Sequence, residues 1–217
     1  MVEFSFSTIQ NFDEHILKSI RGYEHLINDV VSLSQYFIQS KSTVIDVGCS
    51  TGKMLNTIQH CNNNINDVTY IGIEKEQNLI EQHTGIEMCN CDVLEFDNWI
   101  GSSFVTSIFT LQFINKAFRK QIVSNIYNGL LPGGSFVFAE KIYSDNSQLQ
   151  DMMTFMYYDY KRQSFAADEI LDKENSLRHL LRPVTEQELL DVIVSCGFRT
   201  VEPFWRNFNF VGYVAIK

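Results

Sequence analysis

The stretch Val44-Ile45-Asp46-Val47-Gly48-Cys49-Ser50-Thr51-Gly52-Lys53 decides how this chain folds. Apolar residues around a single acid predict a buried strand that ends at Gly48, and the residues after Lys53 have helical character. The glycines at 48 and 52 permit positive φ angles and leave room for a ligand, beside unpaired N–H groups at the helix start. The stretch therefore predicts a strand, a tight loop and a helix that hold a cofactor.

Two familiar phosphate-binding loops differ from this one. The dinucleotide-binding loop has a third glycine, which lets a pyrophosphate approach the helix. The P-loop requires GxxxxGK followed by serine or threonine, whereas Lys53 is followed by Met54. The loop by itself does not identify its ligand, so the ligand has to be inferred from the surrounding sequence.

The composition is that of one globular domain spanning residues 1–217. Apolar residues make up 45% of the chain, and 17 basic against 26 acidic side chains give a net charge of −9. This balance repels phosphate backbones, so we expect no direct nucleic-acid partner. A local basic patch would be the exception, and its members would be Lys161, Arg162, Arg178 and Arg182.

Cysteine usage and hydropathy indicate a cytoplasmic protein without a metal or membrane partner. Five cysteines are scattered along the chain, and Cys89 and Cys91 are too close together for the usual zinc spacing. We therefore expect reduced thiols. No apolar run approaches the roughly 20 residues of a membrane span, and the N-terminus lacks the features of a signal peptide.

Strand and helix patterns alternate after a helical lead-in over residues 1–40, which Gly22 divides in two. In the core, residues 41–142, further strands are predicted at 68–74, 86–89, 104–109 and 135–139. A helix is expected to start at Gln77, and another ends at Leu131-Pro132-Gly133-Gly134. Such alternation predicts a parallel sheet with helices on both faces.

The last third of the chain departs from this alternation. Residues 143–183 have helical composition with many aromatics, and we expect them to form an insertion over one end of the sheet. Residues 184–217 begin with a capping box at Thr185 and end in two strands, 200–205 and 209–216. The prediction is an α/β fold whose seven-stranded sheet is mostly parallel and ends in an antiparallel hairpin.

Acids follow the first three predicted strands. Glu74 comes 22 residues after Gly52 and can accept hydrogen bonds from both ribose hydroxyls. Asp92 can accept from an adenine amino group, with the Val93 N–H facing the ring. Because the carboxyl ends of parallel strands share one edge, Asp46, Glu74 and Asp92 would surround a single adenosine-containing ligand.

The chain resembles the class I S-adenosylmethionine-dependent methyltransferases, which have a Rossmann-like fold. The resemblance covers almost the whole chain and rests on DVGCSTGK at 46–53, Glu74, CDVLEF at 91–96 and LLPGGSFVFAEK at 130–141. It is closer to the carboxy-S-adenosyl-L-methionine synthase branch, through FTLQF at 109–113, DYKR at 159–162 and NFNF at 207–210. The resemblance implies a homodimer and a cofactor site formed by Tyr23, Asp46, Gly48, Cys49, Ser50, Gly52, Glu74, Lys75, Asp92, Val93, Ile108 and Phe109.

Two positions differ from that branch. Glu174 stands where the synthases have an arginine for the added carboxylate, and Ile108 replaces an asparagine that faces the cofactor. These residues favour ordinary methyl transfer to a small molecule. The alternatives are a synthase that uses S-adenosylmethionine and prephenate in tRNA wobble-uridine modification, or a non-catalytic cofactor-binding partner subunit. Candidate catalytic or acceptor-side residues are Tyr23, Lys141, Tyr157, Tyr158, Arg178 and His179, the last as a general base.

Overall fold

A twisted mixed sheet forms the centre of the molecule. The computed structural model describes residues 11–217. The first ten residues of the predicted lead-in, on which the expectation about a signal peptide mainly rests, lie outside the described residues. The strands of the described residues are β1 Ser42–Val47, β2 Val68–Glu74, β3 Ile86–Asn90, β4 Ser102–Ile108, β5 Leu130–Tyr143, β6 Val184–Thr185, β7 Thr200–Asn207 and β8 Phe210–Ile216. Seven of them lie side by side in the order β3-β2-β1-β4-β5-β8-β7, and β6 pairs separately with β5.

The strand pairs are parallel from β3 to β5, and β8 runs antiparallel to both β5 and β7. Helices flank the sheet, with α1 Phe12–Ser19, α2 Tyr23–Phe37, α3 Lys53–Cys61, α4 Lys116–Gly129, α5 Ser147–Lys161, α6 Ala167–Leu177 and α7 Glu186–Ser195. The predicted Rossmann-like α/β fold, mostly parallel with a closing antiparallel hairpin, is therefore confirmed.

The β1 strand is buried on both sides, because helices cover both faces of the sheet. Ile45 and Val47 belong to one apolar cluster, with side chains of α4 and α7. Val44 belongs to a second cluster, with side chains of α2 and α3. Asp46 lies one residue before the end of this buried strand, so its carboxyl group is buried as well.

Two local predictions about helices were wrong in detail. The helix expected from Gln77 is a single 3₁₀ turn, Gln77–Leu79. The segment that follows lies against the loop between β1 and α3, where a ring nitrogen of His83 and the carbonyl of Thr51 are 2.7 Å apart. The helix expected to reach Leu131 ends at Gly129, because β5 begins at Leu130 beside β4. A Cβ on Gly129 would lie 2.3 Å from the carbonyl oxygen of Trp99.

Candidate cofactor and substrate site

A cavity of about 1180 Å³ opens at the carboxyl ends of β1, β2 and β4. Its walls come from the loop after β1, the ends of β2 and β4, and the helices α1, α5 and α6. Ligands of open α/β sheets bind at this edge, outside the carboxyl ends of the strands. The cavity is large enough for a nucleoside and a second small molecule together.

The loop after β1 is held tightly against its neighbours. Gly48 has a φ angle of +72°, and a Cβ built there would lie 2.3 Å from Oγ1 of Thr110. The N–H groups of Gly48 and Cys49 both donate to the carbonyl of Ile73, at 2.8 and 3.0 Å. Only glycine fits at position 48, so the loop backbone can approach the cavity closely.

Glu74 joins this loop to the end of β2. One carboxylate oxygen accepts from the N–H of Ser50 and the other from the N–H of Glu76, each at 2.9 Å. Burial raises the pKa of Glu74, and the N–H donors partly oppose that rise. Each oxygen keeps a further lone pair, so the carboxylate can accept hydroxyl donors from a ligand in the cavity.

Asp46 lies deeper, at the end of β1, and is 2% exposed. The hydroxyl of Thr106 donates to its Oδ1 at 2.7 Å. Burial raises its pKa to about 7; the Thr106 hydrogen bond opposes this rise, and the negative charge of Glu74 adds to it. A cationic group that enters the cavity beside Asp46 would favour the ionised carboxylate.

Asp92 lies on the other side of the cavity, beyond β3. Its carboxylate accepts from the N–H of Leu94 and from Nζ of Lys75, each at 3.0 Å. Burial would raise the pKa of Asp92, but these two donors more than offset it, and the pKa is lowered. Asp92 is therefore an ionised hydrogen-bond acceptor at neutral pH, next to Val93 in the same wall.

Lysines and aromatic rings form the opposite end of the cavity. Nζ of Lys141 lies 5.0 Å from the ring centre of Tyr157 and 5.9 Å from that of Phe210. Nζ of Lys161 lies 4.9 Å from the Tyr157 ring and 3.8 Å from Oε1 of Glu174. Burial lowers the pKa of both lysines, and the charge of Glu174 opposes that change. This end can hold an anion through two desolvated ammonium groups.

A buried carboxyl group sets the backbone that presents Lys141. Oε1 and Oε2 of Glu140 accept from the N–H groups of Leu111 and Gln112, at 2.9 and 2.7 Å. Oε1 of Gln112 in turn accepts from the N–H of Lys141 at 2.8 Å. Burial raises the pKa of Glu140 to about 8, and the Arg119 guanidinium opposes this rise.

Helix α1 lines the cavity between the adenosine side and the lysine side. The hydroxyl of Thr51 lies 3.2 Å from Oδ1 of Asp13, and Nζ of Lys53 lies 3.8 Å from Oδ2. On the lysine side of the cavity, a ring nitrogen of His15 hydrogen-bonds to Nζ of Lys173. The helix thus connects the cofactor loop with α6.

The structure brings most of the predicted site residues to the cavity. Those that line it are Tyr23, Asp46, Gly48, Cys49, Ser50, Glu74, Lys75, Asp92, Val93, Ile108, Phe109, Lys141 and Tyr157. Gly52 does not line the cavity, and it caps the N-terminus of α3 with a φ angle of +77°. Sequence reasoning did not single out Asp13, Thr110, Gln112, Glu140 or Lys173, although Thr110 and Gln112 lie in FTLQF and Glu140 lies in LLPGGSFVFAEK.

Three acceptor-side candidates are not brought to the cavity. Tyr158 follows Tyr157 by one residue, so the helix turns its side chain about 100° away. His179 is exposed in the turn after α6, and Arg178 donates to Oδ1 of Asn175 at 2.6 Å. None of the three lines the cavity, and their role on the acceptor side stays a prediction.

Among residues 11–217, no helix is long and apolar enough to cross a membrane. The same residues contain no group of three or more histidines, cysteines or acids arranged to bind a metal ion.

Comparison with known proteins places the chain among enzymes that bind S-adenosylmethionine. It is 31% identical to the carboxy-S-adenosyl-L-methionine synthase of Staphylococcus epidermidis, over 98% of this chain and 95% of that protein. It is 30% identical to the synthase of Nautilia profundicola, over 99% of this chain and 94% of that one. The structure of human N-acetylserotonin methyltransferase in complex with S-adenosylmethionine aligns with this chain with a TM-score of 0.59 and 13% sequence identity. The alignment covers 88% of this chain and 51% of that one. A search of protein-family models found no match.

Proposed function

Because the chain belongs to the carboxy-S-adenosyl-L-methionine synthase family, we propose that it converts S-adenosylmethionine to carboxy-S-adenosylmethionine. Prephenate would be the carboxyl donor, and the product would serve tRNA wobble-uridine modification. The single observation that carries this proposal is the near-full-length identity of about 30% to curated synthases. It favours the synthase over ordinary methyl transfer, which the sequence alone had put first. S-adenosylmethionine as the cofactor agrees with both functions.

The residues around the cavity fit S-adenosylmethionine. Glu74 would accept both ribose hydroxyls, and Asp92 with the Val93 N–H would bind the adenine. Asp46 would face the amino group of the methionine moiety, because Asp46 and Gly48 line the same part of the cavity. When bound, the cofactor supplies a sulfonium whose positive charge activates its methyl group. The protein's part is to orient the cofactor and exclude water.

The lysine end of the cavity would bind the carboxyl donor. Lys161 is buried and Lys141 is half-buried, both beside the Tyr157 ring, so a carboxylate there meets ammonium groups that have lost part of their water. Charge-assisted hydrogen bonds are stronger under such conditions. The aromatic rings beside the lysines would pack against the non-polar part of the same molecule.

Glu174 favours the second candidate, methyl transfer to a small molecule. Its carboxylate lies in the cavity wall and pairs with Lys161, so a carboxylate added to the cofactor would compete with it. The two candidates differ in their products. The synthase releases carboxy-S-adenosylmethionine, whereas a methyltransferase releases S-adenosylhomocysteine together with a methylated acceptor.

Mass spectrometry of a reaction with S-adenosylmethionine and prephenate tests the proposal. We expect carboxy-S-adenosylmethionine from the wild type and a loss of at least about tenfold in Lys141→Met. Lys18→Met is the matched control, since Lys18 forms only an exposed pair with Glu14. Formation of S-adenosylhomocysteine with a supplied acceptor, and no carboxylated product, would assign methyl transfer instead. A protein that binds the cofactor but forms neither product would be a partner subunit.

The assembly and location of the protein are further parts of the proposal. A homodimer is supported by exposed apolar side chains along α5, which include Met152 and Phe155. A cytoplasmic location is supported by the five unpaired cysteines, which suit a reducing compartment. The acidic net charge supports a small-molecule substrate and not nucleic acid.

A further inference from the structure

Gln112 lies in the 3₁₀ turn Leu111–Phe113 and is only 6% exposed. Its N–H donates to Oε2 of Glu140 at 2.7 Å. Its carbonyl accepts from the N–H of Arg182 at 2.8 Å and from Nη2 of Arg119 at 3.4 Å. The backbone of Gln112 is therefore fixed by β5, by α4 and by the segment that follows α6.

The side-chain amide of Gln112 is held in one orientation. Its Oε1 accepts from the N–H of Lys141 at 2.8 Å, and since a backbone N–H only donates, the atom that faces it is the amide oxygen. Nε2 therefore points the other way, and no residue among 11–217 accepts a hydrogen bond from it. Nε2 is not closed off by protein, and Gln112 lines the cofactor cavity. Two N–H donors of a nearly buried amide thus face space that a ligand would fill.

The surroundings of this amide favour an anionic ligand. The side chain of Lys141 lines the same cavity, and its ammonium group and that of Lys161 lie 5.0 and 4.9 Å from the ring centre of Tyr157. A buried amide donor without an acceptor costs free energy, and a charged acceptor gives the stronger hydrogen bond. A carboxylate that reaches the lysine side of the cavity would supply such an acceptor.

We propose that Nε2 of Gln112 donates a hydrogen bond to a carboxylate of the ligand bound in the cofactor cavity. The amide gives the contact its direction, because its oxygen is fixed on the Lys141 backbone, and the lysines supply the charge. Two ligands offer such a group, namely the carboxyl donor and the methionine moiety of S-adenosylmethionine. The proposal rests on the proposed function only where the carboxyl donor is concerned.

Two substitutions at this position separate the donor from the acceptor of the amide. In Gln112→Glu, a carboxylate oxygen can still accept from the N–H of Lys141, but the second oxygen cannot donate. Gln112→Met removes both functions and adds no charge. Only the loss of the N–H donor is common to the two variants. Gln39→Glu is the matched control, because Gln39 does not line the cavity.

Isothermal titration calorimetry tests the inference in two arms, S-adenosylmethionine with the free protein, and prephenate with protein loaded with the cofactor analogue sinefungin. We expect both variants at position 112 to lose roughly 10- to 100-fold in affinity for at least one ligand, with Gln39→Glu unchanged. Loss for prephenate alone assigns the contact to the carboxyl donor, and loss for S-adenosylmethionine alone assigns it to the methionine moiety. Hydrogen–deuterium exchange at the Lys141 amide should stay slow in Gln112→Glu and become faster in Gln112→Met.

Wild-type affinity of Gln112→Glu for both ligands would overturn the inference, because Gln112 would then only hold the Lys141 backbone. If Gln112→Glu does not fold, wild-type affinity of Gln112→Met for both ligands overturns it equally. A wild-type protein that does not bind prephenate would contradict the proposed function, and the S-adenosylmethionine arm would then decide the inference alone.

Discussion

At the scale of single residues, the carboxylate of Glu74 both holds the loop after β1 and lines the cavity. It accepts the N–H groups of Ser50 and Glu76, and it faces the cavity. We expect Glu74→Ala to weaken S-adenosylmethionine binding by roughly 10- to 100-fold, since hydrogen bonds to charged groups contribute about 1.5 to 3 kcal/mol. Isothermal titration calorimetry measures this. Glu87→Ala, an exposed acid on β3, is the control; unchanged affinity in Glu74→Ala would contradict the ribose assignment.

Asp46 makes stability depend on pH. Its folded-state pKa of about 7 lies above the ordinary aspartate pKa of 3.8, so between about pH 4 and 7 the folded protein holds a proton that the unfolded chain has lost. The free energy of unfolding should therefore fall as the pH rises through this window. Glu140, with a pKa of about 8, acts in the same direction.

Asp46→Asn removes the Asp46 part of this pH dependence. We expect urea unfolding to show a smaller loss of stability between pH 5 and about 7.5 in the variant than in the wild type. Thr106→Val is a useful companion, because it removes the hydrogen bond that stabilises the ionised carboxylate. An identical pH slope in wild type and Asp46→Asn would show that Asp46 ionises normally.

At the scale of elements, the loop between β1 and α3 depends on Gly48. Gly48→Ala places a Cβ 2.3 Å from Oγ1 of Thr110 at a φ angle of +72°, whereas Gly133→Ala meets nothing within 4 Å at +75°. The strain of a positive φ angle is about 1 kcal/mol in both variants. We expect Gly48→Ala to lose clearly more stability and most cofactor affinity, as thermal unfolding and calorimetry would report. Equal losses in the two variants would refute the steric explanation.

The second element is α1, which lines the cavity and contacts the loop after β1 through Asp13 and α6 through His15. Asp13→Ala removes the contacts with Thr51 and Lys53, so hydrogen–deuterium exchange over residues 12–19 should become faster. Lys18→Ala is the control on the same helix, because exposed ion pairs contribute little. If exchange in Asp13→Ala stays at the wild-type rate, the α1 contacts do not hold the helix down.

At the scale of the whole molecule, α5 and α6 leave an apolar surface exposed. Its largest members are Leu149, Met152, Phe155, Met156 and Leu171. We expect Phe155→Glu to shift a dimer towards monomer in sedimentation velocity, since a charge would be buried at the contact. Tyr36→Glu is the matched control, because Tyr36 is 84% exposed on α2. A wild type that sediments as a monomer at all concentrations would contradict the homodimer.

The sequence by itself determined the elements whose signals are local. The apolar run around Asp46 forms β1, because a strand covered on both faces needs no polar alternation. Thr185 and Glu188 form the capping box of α7 as expected, since the four residues involved are consecutive. The spacing from Gly52 to Glu74 reflects one strand–helix–strand unit, and such units return to the same sheet edge.

Only the tertiary structure decided how distant segments complete the site. The 3₁₀ turn at Gln77–Leu79 replaces a helix because the following segment lies against the cofactor loop. His15 and Lys173 are 158 residues apart, and Glu174 meets Lys161 only because α5 and α6 pack together. Residue spacing encodes contacts within one element, whereas charges from separate elements are paired and desolvated only when the chain has folded. The sequence therefore indicated residues at the cofactor edge together with Lys141 and Tyr157, whereas the pairing of Lys161 with Glu174 was decided only by the tertiary structure.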